Sequence, residues 1–362
     1  MNFGTTLIVD NDAVVGQTGT YQSQYAVKNI TWETTESTDI GIDLAVLKSR
    51  LQFSFDWYHK ETKDMLLALQ IPEFLGFSNP AVNAGKMHTN GWDLELSWRD
   101  RINDFHYSAA FNFSDARSVM GDLRGTVFLG DQIKEQGSEF NQWYGYICEG
   151  IYQTDEEVAN SARTNDRVKV GDLRYRDISG PNGVPDGKIS AEYDRVLLKS
   201  SLPHLLCGLR LNADWKGFDV GVTFQGVLRQ WDRIYPMQAM GFRNGWTNFP
   251  QLIVGNYWSA KNSTEENEKA RYPELTSNNE NYWRMSTFWL YNKWYIRCKN
   301  ITLGYTLPTA LTKKFYVNSL RVYVAANDLF SIDNCLKGWD PETQANGYPI
   351  MKSIMFGMNL NF

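Results

Sequence analysis

The chain ends on KSIMFGMNLNF, Lys352 to Phe362. Ile354, Phe356, Met358, Leu360 and Phe362 take every second position. Ser353, Gly357, Asn359 and Asn361 lie between them, with Met355 the one large apolar residue of that second set. Successive side chains of a strand point to opposite faces, so a period of two gives one greasy face and one mostly polar face. A soluble domain seldom needs its final residues to form such a strand, and the terminal aromatic sharpens the question of what the greasy face meets.

The same pattern recurs upstream. Ile40, Ile42, Leu44 and Val46 alternate with Asp39, Gly41, Asp43 and Ala45, and Leu51, Phe53, Phe55 and Trp57 alternate with Gln52, Ser54, Asp56 and Tyr58. Trp92, Leu94, Leu96 and Trp98 alternate with Gly91, Asp93, Glu95 and Ser97. Further runs fall at 105–114, 205–215, 218–225, 296–306 and 320–330. The pattern predicts about nine strands and no amphipathic helix longer than about two turns. Residues 1–35, polar and rich in Gly, Thr and Asn, read as loop.

The connections alternate in length. Those at 48–51, 99–104 and 215–218 are short, whereas 70–88, 116–200 and 230–290 are long. Short turns at one end and long loops at the other are the layout of an outer-membrane barrel. Trp57, Trp92, Trp98, Trp215 and Phe218 end the apolar faces as interfacial girdles do, and Asp43, Asp56, Asp93, Glu95, Arg210 and Asp214 suit a wet lumen. A β-sandwich with one solvated face per sheet also explains the alternation, but not strands of this length beside such uneven loops. The predicted class is all-β, an antiparallel transmembrane β-barrel fragment with long extracellular loops.

Composition agrees. The mean hydropathy of −0.43 and the lack of any run near ~20 apolar residues exclude a helical membrane protein, while a barrel passes because its two faces average out. A net charge of −5 with no basic cluster beyond Lys313-Lys314 argues against a nucleic-acid surface. Cys148, Cys207, Cys298 and Cys335 form no CxxC, so zinc and thioredoxin-like readings lack their minimum signal. The opening MNFGTTLIVDNDAVVGQTGT lacks the basic and apolar regions of a secretory leader. His59, His88, His106 and His204 are scattered and no Gly-x-Ser-x-Gly occurs, so no catalytic residue is assigned and the chain is read as not an enzyme.

Two stretches carry candidate sites. Asp177, Ser179, Asn182 and Asp186 lie among glycines in DISGPNGVPDGKI, and closely spaced oxygens around a sharp turn are what Ca²⁺ loops use. The competing reading is an Asx/Pro/Gly turn cluster. Trp143, Tyr144 and Tyr146 fall in one long excursion and Trp231, Trp246 and Trp283 in another. These are the candidate substrate-binding residues, because aromatic faces stack on sugar rings or grip peptides and long loops carry function. The alternative is that they pack against each other.

Four stretches, in order, resemble SusC/RagA-like TonB-dependent transporters. They are NITWETTESTDIGIDLAVLKSRLQFSFDWYHKETKDMLL (29–67), VNAGKMHTNGWDLELSW (82–98), VGDLRYRDISGPNGVPDGKISAEYDRVLL (170–198) and the region from Tyr295 to Glu342 with its Asn-Asp-Leu-Phe and Gly-Trp-Asp-Pro-Glu runs. The resemblance implies the C-terminal part of a barrel of roughly 22 strands with a plugged lumen, over residues 36–362, with no plug domain in the chain. It implies outer-membrane import of glycan oligosaccharides or peptides in Bacteroidetes-type bacteria. The implied partners are a SusD-like surface lipoprotein, the TonB complex acting through the missing N-terminal part, the substrate and outer-membrane lipid, with no nucleic acid. Phe356, Met358, Leu360 and Phe362 resemble the barrel-assembly signal of outer-membrane proteins, and the strand they form lacks the first strand it would pair with, which marks the chain as incomplete. The alternatives are a secreted β-rich glycan-binding or adhesin module and a small outer-membrane enzyme barrel.

Overall fold

A computed structural model describes residues 2–10, 13–21, 27–68, 71, 73–123, 130–234, 251–275, 281–343 and 347–362. Its strands are β1 (Asn2–Asp10), β2 (Ala13–Tyr21), β3 (Thr34–Val46), β4 (Leu51–Ala68), β5 (Ala81–Ile102), β6 (Phe105–Met120), β7 (Gln132–Ile133), β8 (Gln142–Gly145) and β9 (Cys148–Ile151). There follow β10 (Leu173–Tyr175), β11 (Val196–Leu197), β12 (His204–Trp215), β13 (Phe218–Arg229), β14 (Trp231–Arg233), β15 (Leu290–Asn292), β16 (Tyr295–Thr306), β17 (Ser319–Asp333) and β18 (Ser353–Asn361). Nine strands form one sheet in the order β18-β17-β16-β13-β12-β6-β5-β4-β3. Each neighbouring pair is antiparallel. The predicted alternating runs all fall in this sheet. Among the described residues it does not close, leaving β3 and β18 as edges.

Register explains why the alternation matters. Leu44, Phe53, Leu96, Phe111, Leu209 and Phe224 pair in turn across six strands as one apolar row. One position along, Asp43, Ser54, Glu95, Asn112, Gly208, Gln225 and Arg297 pair as a polar row. A slip of one residue would exchange the two faces, so keeping the apolar face out of water specifies the register. Phe356 and Phe362 on the apolar face are 84% and 83% exposed. Each large apolar side chain gains about 1.5–3 kcal/mol on leaving water, so this face demands a nonaqueous neighbour. The nine residues of β18 match the ~9–11 that a tilted strand uses to cross a bilayer.

On the polar face, close approach requires glycine at particular points. A β-carbon at Gly91 would run into the Tyr58 ring, and one at Gly357 into the Tyr323 ring. Each tyrosine lies flat across the gap on the adjacent strand, filling what the glycine leaves.

The structure differs from expectation in two places. Residues 1–35 are not all loop: β1 and β2 pair, with Ile8 opposite Val15 and Val9 opposite Val14. The β-branched Thr5, Thr6, Ile8, Val9, Val14 and Val15 favour a strand, a local signal that the polar composition masked. The strands β4, β5 and β6 also run past their alternating parts. Register shifts between Thr62 and Leu66 break the period of two, so continuing strand looked like loop.

The tightly buried side chains lie mostly in the long connections. Trp289, Ile253, Tyr152 and Tyr282 are almost wholly inaccessible and none belongs to the nine-stranded sheet. At the opposite end, Lys216 and Gly217 join β12 to β13 with φ of 47° and 90°, the double left-handed geometry of a type I′ hairpin. A β-carbon on Gly217 would also press on the Thr306 carbonyl oxygen. Gly217→Val is expected to destabilise the barrel by ~2 kcal/mol, read as a lower temperature for loss of its compact electrophoretic form. Lys216→Asn should leave that temperature unchanged or raise it, because Asn tolerates this conformation.

Candidate functional site

The polar face of the sheet is concave, and Asp43, Gln52, Ser54, Glu95, Asn112 and Arg210 help line a cavity of about 880 Å³. Ser54 donates to Asp43 Oδ1 at 2.6 Å. Asp56 and Asp93 are direct cross-strand partners, a like-charge juxtaposition that water tolerates and a packed core does not. This wall is built to be wet.

Above it, the described parts of the connections 121–203 and 230–294 fold together into one layer. Tyr175 donates from its hydroxyl to the Asn281 carbonyl at 2.6 Å, and Asn281 Nδ2 donates to the Leu173 carbonyl at 2.7 Å. Tyr146 and the Met285–Thr287 segment exchange backbone hydrogen bonds of 2.9 Å. Burial pushes the Tyr175 and Tyr282 phenols well above their ordinary value, so both stay neutral. Loops this long survive as ordered structure because each satisfies the other's backbone groups.

The aromatic candidates separate by burial. Trp143 packs with Met285 and Leu290 and donates from Nε1 to the Trp231 carbonyl at 2.8 Å. Tyr146 is buried with its ring 5.2 Å from that of Tyr175. Both are core residues of the loop layer. Tyr144, Trp231 and Trp283 are half-buried, with the Arg195 guanidinium 4.3 Å from the Tyr144 ring and the Lys199 ammonium 5.5 Å from the Trp231 ring. Trp246 lies outside the described residues.

The Asp177–Asp186 stretch is organised by a residue that its motif contained but sequence reasoning left unassigned. Asp194 is fully buried and accepts from the N–H groups of Ile178, Ser179 and Ser190 at 2.8, 3.3 and 2.7 Å. Asp177 Oδ2 accepts from Gly187 N at 2.7 Å and Asp186 Oδ1 from Lys188 N at 3.0 Å, while Asn182 is exposed. Asp177 Oδ1 is buried without a hydrogen-bond partner. Among the described residues no three His, Cys, Asp or Glu groups converge for a metal. The hydrogen bonds that Asp177 and Asp186 make to Gly187 and Lys188 are those of a self-bonded turn cluster.

A charged cluster went unread in the sequence. Arg297, on the lumen side of β16, reaches Asp340 at 2.9 Å and Glu342 at 3.6 Å, and Lys299 reaches Asp328 at 2.6 Å and Glu342 at 3.0 Å. The register shift between Cys298 and Asn300 gives Lys299 its place, and Asp328 opposite adopts a left-handed φ of 50°. Such a conformation persists in a non-glycine residue only when its surroundings hold it. The Gly-Trp-Asp-Pro-Glu run thus latches its loop to the lumen wall. Burial alone would raise the Asp340 carboxyl, but the Glu342 N–H, the Arg297 guanidinium and the Ile350 N–H hold it below its ordinary value.

Ser200, His204 and Asp115 stand in a row, with His204 Nε2 3.2 Å from Ser200 Oγ and Nδ1 2.7 Å from Asp115. The order is that of a hydrolytic triad, yet Glu139 also approaches Nε2 at 3.4 Å and Arg117 holds Glu139 at 2.7 Å. The imidazole is only 2% exposed, so no substrate carbonyl reaches it. The row fastens the 130–142 segment to β6 and β12.

An apolar exposed face, a wet concave face, short turns at one end and a folded loop layer at the other define part of the wall of an outer-membrane β-barrel. The chain belongs to the TonB-dependent receptor-like β-barrel family, whose model matches residues 2–329. It is similar to TonB-dependent receptor P3 of Formosa agariphila, 27% identical over 97% of this chain and 36% of that protein. It is also similar to TonB-dependent receptor SusC of Bacteroides thetaiotaomicron, 23% identical over 92% of this chain and 32% of that protein. The RagAB peptide transporter structure shares the fold, with a TM-score of 0.75 and 24% identity over all of this chain and 38% of its own. These relatives are receptors and transporters, not enzymes, and the chain spans about a third of the length of the relatives it matches. Its place is the outer membrane.

Two outcomes follow from the loop geometry. A carboxyl held low in the folded state stabilises above its unfolded value, and that contribution is lost as pH falls through the folded value. Hydrogen-exchange protection at 334–343 should therefore hold from neutral pH down to about 3.8, the ordinary Asp value, and fall below it. Asp340→Asn should show low protection at every pH with no acid transition. Removing Ca²⁺ with a chelator should leave protection of the Ile178, Ser179 and Ser190 amides unchanged, whereas Asp194→Ala should cost ~1–3 kcal/mol there.

Proposed function

We propose that this chain forms wall and extracellular loops of an outer-membrane importer for nutrient oligomers, glycan oligosaccharides or peptides, energised through TonB and covered by a SusD-like surface lipoprotein. The observation that carries the reading is the pairing of a band of exposed apolar side chains on one face of the sheet with a carboxylate-lined concavity on the other. The similarity to a receptor named SusC and the shared fold with a RagAB peptide transporter support it. Cargo and partners belong to the whole receptor, of which this chain corresponds to about a third. Of the candidate aromatics among the described residues, Tyr144, Trp231 and Trp283 are open enough to touch cargo, with Trp143 and Tyr146 buried in the loop layer.

A secreted glycan-binding module has no use for the exposed Ile354–Phe362 row, which speaks against that alternative. The test is uptake in a strain lacking the full-length receptor and complemented with it. Labelled oligosaccharides and peptides are offered in parallel, with and without a functional TonB complex. One cargo class should enter, only with TonB, and Trp231→Ala should slow entry about tenfold, equivalent to ~1.4 kcal/mol. Uptake of neither class, or a detergent-free soluble monomer of this chain, would sink the importer reading.

A further inference from the structure

The link between β16 and β17 stands apart from the others at its end of the sheet. The strands β3 and β4, β5 and β6, and β12 and β13 are joined by residues 47–50, 103–104 and 216–217, but this link runs from 307 to 318. It contains a short helix at Thr309–Thr312, continued by a tighter turn at Lys313–Phe315 and stopped by Tyr316 in the left-handed conformation with φ 58°. Its base is fixed: Thr306 N donates to the Gly217 carbonyl, Leu307 N to the Leu320 carbonyl and Asn318 N to the Asn361 carbonyl, at 2.7 to 2.9 Å.

From that base the tip projects. Thr312 is buried beneath it, whereas Phe315 and Tyr316 are 77% and 92% exposed and Leu311 is half exposed. Leu311 and Phe315 lie one on the short helix and one on the turn that continues it. Lys313 and Lys314 beside them are exposed, with no carboxylate in ion-pair range among the described residues. Two unpaired ammonium groups beside a bare aromatic pair is the composition of an interfacial membrane anchor. The position agrees, since the exposed Trp215 and Phe218 lie at the neighbouring turn and exposed Phe362 follows the strand paired to β17. Short turns mark the periplasmic side.

We propose that residues 307–318 form a membrane foot. Leu311, Phe315 and Tyr316 enter the headgroup–acyl boundary of the periplasmic leaflet, and Lys313 and Lys314 pair with the phosphates of anionic phospholipids there. Free phosphate does not satisfy this surface, because the aromatics need an apolar phase beside the charge. The inference rests on the reading that the sheet spans the outer membrane.

The full-length receptor is placed in nanodiscs of phosphatidylcholine alone or with phosphatidylglycerol, carrying Tyr316→Cys with an environment-sensitive fluorophore. Labelling at that position is checked by peptide mass spectrometry, and Phe315→Cys serves as a second reporter. The expected result is blue-shifted emission, quenched about twofold by lipids spin-labelled just below the headgroup, more strongly with phosphatidylglycerol. K313Q/K314Q should abolish the difference between the two lipids. Water-like emission without quenching in either lipid would overturn the foot, as would shielding that appears only when periplasmic proteins are added. An unchanged lipid difference in K313Q/K314Q would overturn the lysine–phosphate pairing. Failure of the receptor to enter nanodiscs at all would overturn instead the spanning reading on which the foot rests.

Discussion

Backbone hydrogen bonding in a medium without water is the constraint from which the rest follows. In the hydrocarbon layer each N–H and C=O must find a partner in the protein, and a sheet satisfies them only by pairing strand with strand. That pairing forces the period of two, and the period of two forces the division into an apolar and a wet face. The register rows from Leu44 to Phe224 and from Asp43 to Arg297 are this constraint written in side chains. It also gives the two open edges their meaning, because β3 and β18 each present a row of unpaired backbone groups among the described residues.

Outside the membrane the physics changes. Water satisfies exposed backbone there, so the loops need a conventional core to stay ordered. They have one: Ile253, Trp289, Tyr282 and Tyr272 in one connection, with Leu173, Tyr175 and Tyr146 packed in the other. The molecule therefore holds its folded-protein interior at one end, while its barrel wall has little interior of its own. The buried ion pairs of the Arg297 cluster and the buried hydrogen bonds of the Asp115–His204–Glu139 row sit at the junction of the two. Ion pairs of this kind contribute little net stability but penalise any other arrangement strongly, which suits a seam that must seat loops on a wall in one way.

The nine sheet strands were legible in the sequence because lipid and water leave opposite chemical marks at alternate positions. The Ile354–Phe362 row and the Trp57, Trp92 and Trp215 termini needed no tertiary information. The hairpin of β1 and β2 was missed because glycine and threonine mark loops and strands alike. Site residues were harder. Trp143 and Trp231 are the same letter in the same kind of loop, yet one is buried in the loop core and the other stays half open. Residue type alone does not separate an aromatic that faces cargo from one that faces a neighbour, since the two differ only in burial. Asn281 acts on a backbone carbonyl 108 positions away, and a single polar letter gives no sign of which backbone group it will meet. Arg297 sat in plain view within an alternating run, but its partners Asp340 and Glu342 are more than forty positions away and meet it only once the strand shift at Lys299 is in place.

The knitting of Leu173 and Tyr175 to Asn281 bears on how such a receptor changes over generations. Neither long loop is a free module: replace one alone and the other loses the acceptor or donor that ordered it. Recombination that swaps a single loop between relatives should yield misfolded surfaces, while exchange of the whole interval from 121 to 294, with the β12–β13 hairpin inside it, carries a complete unit.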